Sequence, residues 1–183
     1  MILARWRARR ANRIVIEQIH GEIVAAARTP ALYTRLEVAD SLEGRFEMIA
    51  LHAGLVMRRL GELGEVGAEI AQDLVDCVFH HFEDALREMA LGDAGVARRM
   101  KSLAAAFTGR GRAYGEALAA RDAEALAAAL ARNVYGASEA SGAPRSRDLA
   151  AYALAAALAL EGEEIDAFSG GRFGFPAALG EAR

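Results

Sequence analysis

Apolar residues recur along almost the whole chain at intervals of three and four, the period of a helix, and strand-like alternation appears nowhere. Ile16, Ile19, Ile23 and Val24 share one face and predict a first helix over about 13–28. Thr29–Pro30 ends it, because a residue before proline is pushed out of the helical region. A short helical turn over 31–36 follows, and then Asp40-Ser-Leu-Glu43, which has the form of a capping box and opens a helix to about residue 63. The glycines of GELGEVG (61–67) break that helix, and the next runs over about 67–91 and stops at Gly92. Asp93 and Asp122 suit the caps of two further helices, about 94–119 and 122–134. GASEASGAPRSR (136–147) reads as a loop, and an Ala-rich helix covers about 148–161. The expected fold is all-α: a single compact bundle of about six to seven helices over 14–162, with a leader over 1–13 and a tail over 163–183.

Composition narrows the class. The 183 residues are 54% hydrophobic and 26% charged, which suits one globular domain with a real core. No apolar run approaches the roughly 20 residues that span a bilayer; the longest, LAAYALAAALAL, covers 149–160. A single cysteine, Cys77, excludes an internal disulfide framework and fits a reducing compartment. The net charge of −3 conceals an asymmetry, since residues 1–13 carry five arginines and no acid. Arg5, Trp6, Arg7, Arg9 and Arg10 therefore stand as candidate contacts for an anionic membrane surface or the ribosome, against a merely solvated end. The same composition fits an organellar transit peptide.

Candidate chemistry starts at FHHFEDALRE (79–88). Adjacent residues of a helix lie about 100° apart, so His80 and His81 cannot hold one ion together. His80 falls on the polar face with Asp76 and Asp84, and His81 at the core edge beside Cys77 and Glu88. Glu17-Gln-Ile-His20 is one ExxH, the spacing di-iron bundles use twice. Cys77 and His81 lie at i,i+4 and could join a zinc site, but two ligands do not make one, so no metal or cofactor is expected. No nucleophile elbow, phosphate loop or dinucleotide fingerprint occurs, and no catalytic residue is expected. Arg98, Arg99, Lys101, Arg110 and Arg112 interleave with Met100, Leu103 and Phe107, which places a basic surface on a core-packed helix. Two alternatives stay open at this level. One is metal or haem handling through His20, His52 and His81, and the other is a general RNA or membrane-surface binder.

Three ordered blocks resemble one family. IVAAARTPALYTRLEVADSLEGRFEMIALHAGLVMRRL (23–60), ALREMALGDAGVARRMKSLAAAFTGRGRAYGEAL (85–118) and LAAALARNVYG (126–136) are similar to the ubiquinol–cytochrome c chaperone family, with RFGFP (172–176) similar to its aromatic ending. The resemblance implies a non-enzymatic assembly factor of the cytochrome bc1 complex that binds newly made cytochrome b. It further implies nearness to the ribosome exit region, a second assembly factor, no DNA, and a cytoplasmic place peripheral to the inner membrane (the matrix side in mitochondria). Motif positions and the basic run together mark Arg45, Phe46, Arg87, Glu88, Asp93, Arg98, Arg99, Lys101 and Arg110 for partner contact. His81 and Glu83 depart from the family's usual aspartates.

Overall fold

A computed structural model describes residues 2–89 and 92–178, with the side chains of residues 2–11 outside that description. Among the described residues the fold is all-α, as expected. Six helices are long: α1 (Ile2–Ala27), α3 (Leu42–Glu62), α4 (Gly64–Glu88), α5 (Asp93–Ala119), α6 (Ala123–Val134) and α7 (Arg145–Glu161). Two of five residues, α2 (Pro30–Thr34) and α8 (Ile165–Ser169), and one short 3₁₀ turn complete it.

The central helix is α3, which packs against α1, α4, α5, α6 and α7. Its run of Met48, Leu51, Leu55, Val56 and Leu60 is wholly buried. Ile16, Ile19 and Ile23 of α1, Leu74 and Val78 of α4, and Leu126 and Leu130 of α6 close around it. Each such side chain removed from water contributes about 1.5–3 kcal/mol. Two glycines sit where backbones meet closely. A Cβ on Gly44 would fall 1.9 Å from the Ala39 carbonyl oxygen, and one on Gly67 would fall 2.1 Å from that of Leu60. The α3–α4 connection turns through Gly64 at φ +80°, a conformation that costs glycine little.

Several boundaries differ from the sequence expectation. The first helix begins at Ile2, passing through the residues read as a leader. The N-cap of α3 is Ser41, whose hydroxyl accepts from the Gly44 amide at 3.2 Å. Asp40 instead turns to Arg45, 2.7 Å away. Asp93 is the first residue of α5, whose N-cap is Gly92, so it caps nothing. Asp122 does cap α6, accepting from the Ala125 amide at 2.9 Å. The tail also has structure: α8 packs on α1, Phe168 and Phe173 are buried, and Phe175 meets the His52 ring edge-on at 4.9 Å between centroids.

Candidate functional site

Two places concentrate exposed chemistry, one a groove and the other a cluster of donor atoms. The groove runs between α3, α4 and α5 and has a volume of about 320 Å³. Phe46, Ile49, Phe82, Leu86 and Leu103 form an apolar floor. The Phe46 and Phe82 rings lie 5.1 Å apart, and Phe79 extends the stack to Phe82 and Phe107. Arg28, Arg45, Arg99 and Arg110 stand around this floor. A shallower extension carries Met89, Gly95 and Arg98 and shares Leu42, Glu43, Leu86, Arg99 and Ser102 with the main groove. Leu42 and Met89 are large apolar side chains left open to water at its edges.

The rim is held by ion pairs of unequal weight. Arg110 reaches Glu47 with two nitrogens, and both partners are largely buried. Burial pushes the Glu47 carboxyl up, and the hydrogen bonds from Arg110 oppose that push. The Arg110 guanidinium also lies over the Phe46 ring. Arg99 pairs with Glu43 across the groove mouth, and Arg45 with Asp40, both where water competes. The hydrogen bond from Arg45 holds the Asp40 carboxyl below its ordinary range.

Of the residues marked for partner contact, the structure gathers Arg45, Phe46, Arg98, Arg99 and Arg110 at the groove. Arg87 points elsewhere, pairing with Glu83 at 2.6 Å. Glu88 and Lys101 are exposed outside the lining, and Asp93 begins α5. The side chains of Arg5, Trp6, Arg7, Arg9 and Arg10 fall outside the described residues. Sequence reasoning missed Arg28, Leu42, Phe82 and Leu103 as lining residues. Phe82 had the available signal, an aromatic at the edge of an apolar helical face.

Other motif residues turn out to brace the fold. His52 is fully buried. Its Nδ1–H donates to the Met48 carbonyl at 2.7 Å, so Nε2 accepts from the Tyr152 hydroxyl at 2.7 Å. Burial lowers its pKa to about 4 and keeps the ring neutral. Arg59 donates twice to the Glu163 carbonyl, at 3.0 and 2.8 Å, and the Tyr135 hydroxyl donates to the Leu36 carbonyl at 2.7 Å.

The second place lies between α1 and α4. Glu17, His20, Cys77 and His81 converge there, with their donor atoms within 4.8 Å of one another. His20 and His81 stack with centroids 4.1 Å apart and planes 5° apart, and His81 Nε2 lies 3.0 Å from Glu17 Oε2. Burial, reinforced by His81, lowers the His20 pKa to about 4. Burial likewise raises the Cys77 thiol to about 11, with the Glu17 carboxylate adding to the shift. His80 stands apart and meets Asp84 at 3.5 Å. His52 is not with His20 and His81 but in the core, with both its nitrogens engaged.

Comparison with known proteins fits this architecture to a family. The sequence model described as Ubiquinol-cytochrome C chaperone matches residues 34–175. The chain belongs to the ubiquinol–cytochrome c chaperone family. The match takes in α3 to α8, and so the helices that line the groove. The fold is also similar to the crystal structure of the Cbp3 homolog from Brucella abortus, with a TM-score of 0.84 and 37% identity. That match covers 97% of this chain and 98% of the other, so the likeness extends to α1. Among curated proteins nothing matches. No described helix is long and apolar enough to cross a membrane.

Proposed function

We propose that this member of the ubiquinol–cytochrome c chaperone family is a non-enzymatic holder of newly made cytochrome b. In this reading it binds the client through the α3–α4–α5 groove and assists assembly of the cytochrome bc1 complex. The observation that carries the reading is an aromatic and aliphatic floor ringed by arginines on a chain of this family. An apolar helix laid in such a groove buries its own hydrophobic face, and acidic residues at its ends meet the rim. The exposed Leu42 and Met89 extend the apolar contact beyond the floor. A groove binds without reacting, which suits a holder that must later release its cargo.

The Arg-rich first turns of α1 give the same protein a means of staying near an anionic surface, membrane or ribosome, where such a client is made. A second assembly factor would share the remaining exposed faces, and the working place would be the cytoplasmic side of the inner membrane.

Photo-crosslinkers placed at Leu42, Arg99 and Leu103 test the groove in cells. Cytochrome b is expected among the captured products from all three positions. It should be absent from a control crosslinker at Leu158, another exposed apolar residue, on α7. Arg98→Glu with Arg99→Glu should reduce capture about tenfold while leaving the unfolding midpoint in place. Capture equal from Leu158 and from the groove would overturn this assignment.

A further inference from the structure

We propose that Glu17, His20, Cys77 and His81 form a tetrahedral site for one Zn²⁺ ion that clamps α1 to α4. The four side chains supply a carboxylate, two imidazoles and a thiol, and their donor atoms already lie within 4.8 Å of one another. Zinc bound at about 2.0–2.3 Å places tetrahedral donors about 3.3–3.6 Å apart. The set therefore needs to contract by about 1 Å, a movement that small χ rotations of these partly exposed side chains provide.

The spacing along each helix serves the same end. Glu17 and His20 stand at i,i+3 and Cys77 and His81 at i,i+4, so each pair occupies one helical face. Packing of α1 on α4 turns those faces towards each other. Each helix thus contributes a two-pronged ligand, and both prongs rest on rigid backbone, which keeps the ordering cost of binding low. The parallel stack of His20 and His81 brings the two rings together before any ion enters. Glu17 is already drawn to His81 by a 3.0 Å contact that a shared metal would replace.

The donor set also selects among ions. Thiolate and imidazole favour zinc and its soft neighbours, whereas magnesium and calcium require oxygen ligands. Coordination by sulfur takes the thiolate, so the Cys77 proton leaves to solvent as the ion binds. An open cleft of about 410 Å³ leads to the cluster; among its described lining residues Glu17, Asp73 and Asp76 stand with Cys77 and His80 against the cation Arg13. That acidic balance favours entry of a divalent cation. The site goes beyond the holder function, since the groove shares none of its residues.

The test uses the full chain, reduced with a phosphine and stripped of metal, titrated with Zn²⁺ against a chromophoric chelator and separately with Co²⁺. One ion per chain is expected. The Co²⁺ form should show a thiolate-to-cobalt charge-transfer band and the intense d–d bands of tetrahedral geometry. Cys77→Ala and His20→Ala should each weaken Zn²⁺ binding at least about 100-fold. Cys77→Ala should also abolish the charge-transfer band, and Glu116→Gln, on the exposed face of α5, should leave binding unchanged. Weak octahedral d–d bands in the unmutated protein overturn the proposal whether or not any variant folds. Substoichiometric binding, or affinity indifferent to Cys77 and His20, would mark an adventitious surface ion only and overturn it equally.

Discussion

The guanidinium of Arg110 lies over the ring of Phe46, its central carbon 5.5 Å from the ring centroid. One arginine thereby covers the groove floor with its flat face while its nitrogens neutralise Glu47, which is buried beneath. Position 110 therefore couples the shape of the groove to the stability of the bundle.

Removing that arginine leaves a buried carboxylate with no counter-charge. Arg110→Ala should destabilise the fold by about 3 kcal/mol, read as a lower urea midpoint. The double change Arg110→Met with Glu47→Leu should recover most of the loss, because an apolar pair of similar volume carries no desolvation penalty. A single variant as stable as the unmutated protein would contradict the bridge.

His52 gives the fold an acid sensitivity of defined sign. Its folded-state pKa is near 4 against 6.5 when exposed, so the unfolded chain binds the extra proton between those values. Stability should fall as pH drops from about 6.5 towards 4, by up to roughly 3 kcal/mol from this group. In His52→Gln that component should vanish, which urea titrations of the two proteins at several pH values would reveal as a flatter profile. The raised Glu47 carboxyl works in the opposite sense, and comparing the two proteins cancels it.

Glycine has two meanings in this chain. Gly44→Ala drives a Cβ to within 1.9 Å of a carbonyl oxygen and should destabilise by about 1–3 kcal/mol as α3 shifts off Ala39. Gly109 lies inside α5 with open space around it, and Gly109→Ala should stabilise by about 0.5–1 kcal/mol. Thermal melts of the two variants should move in opposite directions.

Deleting residues 1–13 should weaken association with anionic vesicles or ribosomes while the remaining bundle melts cooperatively. Co-sedimentation of the truncated protein at the full-length level would refute a surface role for the basic end.

Helical period and turn chemistry made the bundle legible, because burial of one helical face leaves its mark every three to four residues. They said nothing of which helices meet. Glu17 with His20, and Cys77 with His81, were each readable as half of a ligand pair. Their convergence depends on α1 lying against α4, a contact between residues some 60 positions apart that no local pattern encodes. The groove shows the same division. Phe46, Arg99 and Arg110 could be marked from motif and charge, while Leu42 and Leu103 became lining residues only once three helices had closed. The aromatics of the tail were visible as letters, but their burial was not, since glycine-rich sequence gives no period.

The edge of Phe175 against His52 has a consequence for how the protein is made. Residues 165–178 supply α8, which packs on the first helix, and the rings that finish the shell around the central one. A chain still being synthesised lacks these pieces until residues 165–178 have been made. The bundle therefore closes only once that segment is available, and a nonsense lesion upstream of Phe168 leaves it open for proteases to clear.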